Sequence, residues 1–302
     1  MSNKRQLDQA SLDKLLVESG IDPGQVTAYE ELTEGTYNTV YRIGLAAGDL
    51  ILKFAPDPAA PALTHEHGLI QTETEYYRSA LGKAPVPEVV HAGEDFLLMT
   101  ALPGTTLQSA GLTADERVPL RRELGGMIAA LHEVTGSGFG YPQRGLVTTW
   151  SAAFLGMMDD VLADAARFEV ELPRPAAALR QLVLDRIDLL DAVRTPRLIH
   201  FDLWDGNILV EGGRITGLID GERALWGDPV AEFASLTLFS PLDDELAAGY
   251  GSAVDSERLS LYRVYLYLIM LVEGTPRGYS GPDREQLVRL IQRHLRKDLD
   301  AL

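Results

Sequence analysis

The residues with the most distinctive chemistry lie between positions 198 and 228, where acidic and amide side chains recur at set intervals. This stretch reads LIHFDLWDGNILVEGGRITGLIDGERALWGD, and His200 stands two residues before Asp202. Asn207 follows five residues after that Asp, and Asp220 comes at the far end. A carboxylate can take a proton from a hydroxyl, while a second carboxylate and an amide oxygen can hold Mg²⁺, which prefers oxygen ligands. These residue types indicate phosphoryl transfer, in which catalysis consists mainly of positioning and charge neutralisation.

Taken one at a time, these residues also have ordinary structural explanations. Asp and Asn are common in turns, and Asp220-Gly221 is a frequent turn dipeptide. A single histidine is more often packed and hydrogen-bonded than catalytic, and we expect that structural role for His200. The order of the residues is more specific. H-x-D-x4-N, followed by a strand, a glycine turn, a second strand and Asp, is the layout of a kinase catalytic loop and its metal-binding segment.

A hairpin is needed to bring Asn207 and Asp220 to the same point. The apolar runs at 208–210 and 215–219 flank Glu211-Gly212-Gly213-Arg214, a reversal whose glycines can adopt positive φ. The sequence therefore predicts two antiparallel strands that return the second carboxylate to the first.

The remaining patterns divide the chain into two parts of different character. The first is predicted to contain a helix that opens at Ser11 and ends at Gly20, strands at 39–43, 50–54, 88–91 and 96–100, and a helix at 65–81. The second is predicted to be mainly helical, with helices at 116–132, 179–193 and 256–272. We therefore expect an α+β protein. We expect residues 1–102 to form a nucleotide-binding lobe on a small antiparallel sheet, and residues 103–302 to form a larger catalytic and substrate-binding lobe.

Phosphate-binding groups should precede the catalytic segment. Lys53 ends an apolar strand, from which its ammonium can reach the α- and β-phosphates. Glu73 lies on the following predicted helix and can pair with it, but Glu66 and Glu75 compete for that role and periodicity does not separate them. The segment 34–38 lies between strands, where backbone N–H groups can cover the phosphates, although it holds one glycine rather than three.

These features resemble the aminoglycoside phosphotransferase family, which also includes fructosamine, choline and homoserine kinases. The resemblance extends from around Gly35 to Asp228 and is strongest over IHFDLWDGNILV and GLIDGERALWGDP. It implies a protein-kinase-like bilobal fold, ATP or GTP as phosphoryl donor, and Mg²⁺ as cofactor. In the segment that covers the phosphates, Gly35 and Thr36 are the predicted nucleotide contacts.

The resemblance also implies roles for single residues. Asp202 corresponds to the catalytic base, and Asn207 and Asp220 correspond to the magnesium ligands. The register of ETEYYRSALGKAPVP selects Glu73 as the partner of Lys53.

The stretch FLLMTALPG is similar to the hinge between the two lobes of the family. It implies that the Thr100 carbonyl and the Leu102 N–H hold the adenine. Three departures stand out. Phe201 replaces the usual glycine, Gly221 replaces a common aromatic residue, and Glu232 replaces the usual Asp. None of them removes a phosphate-binding or metal-binding group, so they affect the expected substrate rather than the expected activity.

The acceptor should be held by the C-terminal lobe, where aromatic faces beside carboxylates suit a sugar or a cationic amine. The candidate residues are Trp204, Asp205, Glu222, Trp226, Asp243, Asp244 and Glu273. Asp243 and Asp244 also fit the first turn of a helix, where acids favour the macrodipole. The tyrosines of LYRVYLYLIM, namely Tyr262, Tyr265 and Tyr267, are expected in the core.

Composition excludes several classes of function. The chain has no cysteine, which rules out disulfides and thiolate metal sites, and its 46% apolar content is ordinary for a globular protein. The net charge of −17 disfavours nucleic acid as a partner. It either attracts a cationic acceptor or serves solubility. No apolar run is long enough to span a membrane, and the N-terminus lacks the apolar stretch of a secretory signal, so we expect a cytoplasmic protein.

The sequence thus predicts a small-molecule kinase that moves the γ-phosphoryl group to a hydroxyl, with an antibiotic as the favoured acceptor. A kinase of a small metabolite, such as a ketosamine, sugar or amino alcohol, is the alternative. A protein kinase is disfavoured, because the stretch between Asp220 and Gly227 leaves no room for a long activation segment. A pseudokinase that only binds ligands is the remote alternative. Against it stands the joint presence of four residues, Lys53, Asp202, Asn207 and Asp220.

Overall fold

The computed structural model describes residues 4–5, 7–33 and 37–302. They form the predicted α+β fold with two lobes, a smaller one built on an antiparallel sheet and a larger one that is mainly helical. The chain leaves the sheet at Thr100 and next joins a strand of the larger lobe at Thr105. The division of the lobes after residue 102 stays a prediction.

The sheet of the smaller lobe holds Lys53 in a fixed position. Within the described residues its strands are β1 (Val26–Glu31), β2 (Thr39–Leu45), β3 (Leu50–Phe54), β4 (Val89–Ala92) and β5 (Phe96–Thr100), in the order β1-β2-β3-β5-β4. Lys53 pairs across the strands with Val40 and Leu97, so it lies on a central strand. Leu52 and Leu98 are fully buried in the core between this sheet and the first helix. The sequence missed β1, and the other four strands agree with their predicted positions to within two residues.

The helices of the smaller lobe begin at positions other than those predicted. Helix α1 (Gln9–Glu18) is capped by Asp8, whose carboxylate accepts from the Ser11 N–H at 2.9 Å, so Ser11 lies in the first turn and is not the cap. Helix α2 (Leu69–Ala80) starts four residues late, because Gly68 adopts φ 76° and the preceding residues 64–66 form a separate 3-10 turn. Both errors arose because the side chain or glycine that starts a helix can stand several residues from the first apolar position.

The larger lobe is organised around a buried helix. Its helices are α3 (Ala114–Leu131), α4 (Trp150–Arg167), α5 (Ala176–Leu184), α6 (Ile187–Asp191), α7 (Phe233–Leu236), α8 (Asp244–Tyr250), α9 (Ser256–Val272) and α10 (Pro282–Ala301). The predicted helix at 256–272 is confirmed as α9, and its tyrosines are buried. The single helix predicted at 179–193 is wrong. The chain breaks into α5 and α6 where Arg186 leaves the helical conformation, with φ −117° and ψ 19°.

Short strands in this lobe bring the catalytic segment together. They are β6 (Thr105–Thr106), β7 (Arg197–Ile199), β8 (Ile208–Glu211), β9 (Arg214–Leu218) and β10 (Leu225–Gly227). The predicted hairpin is confirmed as β8–β9, with Gly212 at φ 58° and Gly213 at φ 76°. Strand β7 pairs with β10, which places the loop that follows Ile199 beside the turn that precedes Leu225. Among the described helices, none is long and apolar enough to cross a membrane.

Candidate active site

The loop between β7 and β8 is held by its own histidine. The Asp202 N–H donates to Nδ1 of His200 at 3.2 Å, so the ring proton lies on Nε2, which donates to the Ile219 carbonyl at 2.9 Å. Burial lowers the pKa of His200, which keeps the ring neutral and this tautomer in place. The histidine therefore has the structural role expected from the sequence.

A second residue, not selected from the sequence, holds the same loop from below. The buried carboxylate of Glu232 accepts from the His200 N–H at 2.8 Å and from the Phe201 N–H at 3.0 Å. These bonds fix Phe201 at φ 63°, a left-handed conformation that costs roughly 1–3 kcal/mol for a residue other than glycine. The fully buried phenyl ring, packed against Tyr265, offsets that cost.

Asp202 faces the cleft with its carboxylate free of hydrogen bonds from the described residues. The nearest cation is Arg223, whose Nε lies 3.9 Å from Oδ2. About a quarter of the side chain, 26%, stays accessible to solvent. Burial of the rest raises the pKa of Asp202 to about 7, with Arg223 opposing the rise and nearby carboxylates adding to it. A carboxylate near this value can exchange a proton at neutral pH.

The hairpin places Asn207 next to Asp220 as predicted. The Ile219 N–H donates to the Asn207 carbonyl at 3.0 Å, so the two side chains leave the backbone from adjacent points. The Asn207 Nδ2 group donates to the Asp202 carbonyl at 2.8 Å, which leaves the amide oxygen available to a ligand. Asp220 itself takes φ 65°, a left-handed conformation that asparagine and aspartate tolerate better than most residues.

Lys53 reaches this point from the other lobe and meets three carboxylates. Its Nζ lies 2.7 Å from Oε2 of Glu73 and 2.8 Å from Oε2 of Glu222, and it also contacts Oδ1 of Asp220. Burial alone would lower the pKa of Lys53, but the three carboxylates outweigh it and hold the pKa well above its usual value. The lysine is therefore charged.

The choice among the three candidate glutamates is settled by their contacts. Glu73 pairs with Lys53, whereas Glu66 contacts Arg277 and Glu75 accepts from the Trp226 indole N–H at 2.8 Å. The catalytic consequence of the Lys53–Glu73 pair stays a prediction.

Tyr77 on α2 connects this pair to the second carboxylate. Its hydroxyl donates to Oε1 of Glu73 at 2.7 Å and accepts from the Asp220 N–H at 2.9 Å. Burial raises the pKa of Glu73 to about 7, because Lys53 offsets only part of the desolvation. Burial also acts on Asp220, but there Lys53 prevails and the pKa falls below its usual value. Tyr77 was not identified from the sequence, because its bond with Asp220 spans 143 positions of the chain.

The donor set fits Mg²⁺. Asp220 supplies carboxylate oxygens and Asn207 an amide oxygen, which are hard ligands of the kind that this ion prefers. Carboxylate oxygens of Glu73, Asp220 and Glu222 also lie within 4.8 Å of one another, a concentration of negative charge that favours a divalent cation.

Comparison with known proteins agrees with this geometry. The sequence pattern of APH, the phosphotransferase enzyme family, matches residues 28–264 of the chain. The chain belongs to this phosphotransferase family. A curated relative, the hygromycin-B 4-O-kinase of Escherichia coli, is 24% identical over 249 residues, which cover 79% of this chain and 69% of the relative. The resemblance inferred from the sequence and the predicted class, a small-molecule kinase, are confirmed.

Solved structures show the same fold. A Thermobifida fusca YX-ER1 protein assigned to the fructosamine-3-kinases matches with a TM-score of 0.72 at 23% identity, over 96% of this chain and 100% of that one. A thermostable mutant of aminoglycoside phosphotransferase APH(4)-Ia, in ternary complex with AMP-PNP and hygromycin B, matches with a TM-score of 0.70 at 22% identity. It covers 96% of this chain and 98% of that chain. The predicted protein-kinase-like bilobal fold is confirmed.

Besides Lys53 and Glu73, the predicted nucleotide contacts of this phosphotransferase lie in two places. Gly35 and Thr36 fall outside the described residues. At the hinge, Thr100 is anchored through its N–H, which donates to the Glu88 carbonyl at 3.0 Å. The Leu102 N–H donates to no acceptor within the described residues, which leaves it available to a ligand. The nucleotide roles of all these residues stay predictions.

The structure separates the acceptor candidates of the phosphotransferase into three groups. Trp204 is the most open, with 40% of its surface exposed, and Asp205 beside it pairs with Arg117 at 2.5 Å. Glu222 and Glu273 are buried near Asp202. Glu222 forms a salt bridge with Lys53, and Glu273 forms one with Arg223. The remaining candidates have contacts elsewhere: Trp226 is buried against Glu75, Asp243 caps α8 and pairs with Arg121, and Asp244 lies exposed in the first turn of α8.

Beside Asp202 runs a chain of buried alternating charges that the sequence did not reveal. Arg223 donates to Glu273 at 2.6 Å, Glu273 lies 3.3 Å from Arg277, and Arg277 in turn contacts Glu66 of the smaller lobe. Arg223 lies 2.6 Å from Glu273 but 3.9 Å from Asp202, so the Asp202 carboxylate is not held in a close ion pair. No sequence signal could reveal this chain, because it joins residues up to 211 positions apart.

Proposed function

We propose that this phosphotransferase moves the γ-phosphoryl group of ATP onto a hydroxyl of a small polar molecule, with an antibiotic as the favoured acceptor. The observation that carries the proposal is the position of Asp202. Its carboxylate has no hydrogen bond from the described residues and lies beside the Lys53, Asn207 and Asp220 cluster. A base within the cleft, next to phosphate-binding and metal-binding groups, is what in-line transfer to a hydroxyl requires.

Each residue has a distinct task in this proposal. Asp202 orients the acceptor hydroxyl and takes its proton as the oxygen forms a bond to the γ-phosphorus, while the bond to the β-phosphate oxygen breaks and ADP leaves. Lys53 holds the α- and β-phosphates and is itself held by Glu73. Asn207 and Asp220 are the residues that would hold Mg²⁺, which when bound neutralises charge on the β- and γ-phosphate oxygens.

Support for the nucleotide comes from two directions. The Thr100 and Leu102 region offers backbone groups at the hinge for a purine, as inferred from the family resemblance. A structural neighbour of this chain binds AMP-PNP, an ATP analogue. ATP is therefore proposed as the donor, and GTP is included in the test below.

The proposed acceptor class rests on charge and on relatives. The chain carries 44 acidic against 27 basic residues, so a cationic acceptor is favoured electrostatically. The curated relative is a hygromycin-B kinase, which is consistent with an antibiotic acceptor. The likeness to a structure assigned to the fructosamine-3-kinases keeps a ketosamine, sugar or amino alcohol as the second candidate.

A phosphoryl-transfer screen tests the proposal. The purified protein is incubated with ATP or GTP and Mg²⁺ against aminoglycosides including hygromycin B, ketosamines, sugars and amino alcohols. Nucleotide consumption and the mass gain of one phosphoryl group are measured together. We expect acceptor-dependent turnover that is lost in Asp202→Asn protein prepared in the same way. Nucleotide binding without turnover on any acceptor would favour the pseudokinase alternative, in which the fold is kept as a binding module.

A further inference from the structure

The ammonium of Lys53 has one more carboxylate partner than phosphate binding requires. Glu73 orients it from α2, and Asp220 is the expected metal ligand, so these two contacts are explained. Glu222 adds a third carboxylate at 2.8 Å, from the 3-10 turn Gly221–Arg223. Its side chain is 8% exposed. Burying a carboxylate costs several kcal/mol unless it is well paired, so a third one around a single cation calls for a function.

The carboxylate of Glu222 is fixed by a hydrogen bond from a second residue. Its Oε2 accepts from Nδ2 of Asn38 at 2.5 Å, and Asn38 is itself buried. Asn38 immediately precedes β2 and is the last residue of the segment expected to cover the nucleotide phosphates. The carboxylate is therefore fixed between the lysine and the base of that segment.

The net charge of Lys53 and its three carboxylate partners determines which ligands can bind there. Three carboxylates and one ammonium leave a formal net charge of −2 in a buried space whose carboxylate oxygens lie within 4.8 Å of one another. Phosphates that arrive without a cation are repelled at short range, where the surrounding protein screens charge poorly. A divalent cation of charge +2 cancels the excess.

We propose that Glu222 makes nucleotide binding conditional on a divalent cation, by excluding metal-free nucleotide from the site. This rests on the proposed function, since it assumes that Lys53 and Asp220 receive nucleotide phosphates. Without the third carboxylate, Lys53 and Glu73 still form their pair, and the cluster accepts bare phosphates more readily. Glu222 is thus a specificity-determining residue for the metal–nucleotide complex.

Calorimetric titration with AMP-PNP, in excess Mg²⁺ and separately in EDTA at pH 8, tests this. The quantity of interest is the ratio of the Kd in EDTA to the Kd in Mg²⁺. We expect Glu222→Gln to lower this ratio by about tenfold, a typical size for coupling between two ligands, chiefly through tighter binding in EDTA. Glu222→Asp, which keeps the charge, should retain the high ratio. Glu211→Gln removes an exposed carboxylate at the β8–β9 turn and should leave the ratio unchanged.

Several results would overturn the inference. A Glu222→Gln ratio within twofold of the wild-type ratio would do so. Asn38→Ala keeps the carboxylate but removes its hydrogen bond, so an equal fall in that variant would show that the tether matters rather than the charge. Should the glutamine variant fail to fold, wild-type protein that binds AMP-PNP equally with and without Mg²⁺ also refutes the role of Glu222, while leaving the kinase proposal intact. No binding of AMP-PNP even with Mg²⁺ refutes the proposed function itself.

Discussion

Asp202 is held by its backbone rather than by its side chain. Its N–H bonds to His200 and its carbonyl accepts from Asn207, so the loop keeps its shape whatever the carboxylate does. We therefore expect Asp202→Asn to lower kcat by about 10²- to 10⁴-fold, the usual contribution of a positioned acid or base. The nucleotide Kd should change little. Steady-state kinetics with the acceptor identified in the screen would check this, and a variant that turns over within threefold of wild type would place the reaction elsewhere.

The pKa of Asp202 adds a pH dependence to the same prediction. Because the folded-state pKa is raised from 3.8 to about 7, the folded protein retains a proton over that interval that the unfolded chain has lost. The free energy of unfolding therefore decreases as pH rises through the interval. Asp202→Asn should melt at a higher temperature than wild type at pH 8, with the difference vanishing near pH 3.8. In the wild-type enzyme kcat should fall as pH drops below about 7, since the base must be ionised.

Site residues could be predicted from the sequence where the residues that form the site lie close together along the chain. The catalytic loop and its hairpin fall within one stretch, so the proximity of Asn207 and Asp220 could be read from the chain. Glu222 was selected as an acceptor candidate, but its contact with Lys53 spans both lobes. The hydrogen bonds that Glu232 accepts from the loop backbone depend on packing across 32 positions, which no local pattern contains.

At the scale of elements, the departure at Gly221 has a structural explanation. A Cβ at this position would lie 2.3 Å from Cδ1 of Tyr76, because the tyrosine ring of α2 occupies the space beside the glycine. Tyr76 is 1% exposed and packs edge-on against His200 at 4.9 Å. We infer that the Tyr76 ring occupies the space that an aromatic side chain at position 221 would need.

If the Tyr76 ring takes the place of an aromatic side chain at position 221, the effects of Gly221→Phe and Tyr76→Ala should be coupled. Gly221→Phe alone should destabilise the protein by about 1–3 kcal/mol, as expected for overpacking of a full core. Tyr76→Ala alone leaves a cavity, and the two changes together should be less destabilising than their sum, since the new phenyl ring fills that cavity. Urea unfolding of the four proteins gives the coupling energy.

The matched control is Tyr76→Phe, which keeps the ring but removes a buried hydroxyl that has no hydrogen-bond partner among the described residues. It should not relieve the Gly221→Phe variant. Strictly additive effects of Gly221→Phe and Tyr76→Ala would show that the ring of α2 does not replace the missing aromatic.

Elements were predictable where one strong signal sets each boundary. Helix α9 begins after Asp255, whose carboxylate accepts from the Arg258 N–H at 2.9 Å, and both of its ends were predicted correctly. The β8–β9 turn needs two residues with positive φ, and its two adjacent glycines allowed the turn to be predicted. The break between α5 and α6 carries no proline or glycine. It coincides with the Arg186 side chain reaching Glu257 of α9 at 3.0 Å, a tertiary contact that the local sequence does not announce.

At the scale of the whole molecule, the segment between β3 and α2 binds the larger lobe firmly. Thr64 donates to Asp164 of α4 through its N–H and its hydroxyl, both at 2.7 Å. Glu66 contacts Arg277 near α10. Helix α2, which carries Glu73, is therefore tied to the larger lobe just before its N-terminus, although the chain reaches it from the sheet. The predicted division by sequence position did not reveal this attachment.

Arg277 is one of the charged residues that join the lobes, and its removal tests this view. The Arg277 side chain is 9% exposed, and its guanidinium forms salt bridges with Glu66 in one lobe and Glu273 in the other. Removing one partner of a buried charge pair typically costs about 3–5 kcal/mol, because the remaining charges are left uncompensated. We expect Arg277→Met to lose about that much free energy of unfolding at pH 7. Arg289→Met, which breaks an exposed pair with Glu285 at 3.7 Å, should lose less than about 1 kcal/mol.

The pH dependence of that loss separates an ionic contact from simple packing. Burial opposes ionisation of Glu66 and Glu273, but Arg277 and Arg223 outweigh it and lower both pKa values below the ordinary 4.5. Their stabilisation is therefore complete above pH 4.5 and disappears as pH falls through the lowered values. The difference between wild type and Arg277→Met should narrow when urea unfolding is repeated below that pH, since protonated carboxyls no longer need the guanidinium. A difference of the same size at pH 7 and in acid would show that Arg277 contributes through the packing of its side chain, such as its contact with the Tyr37 ring at 4.5 Å, and not through its charge.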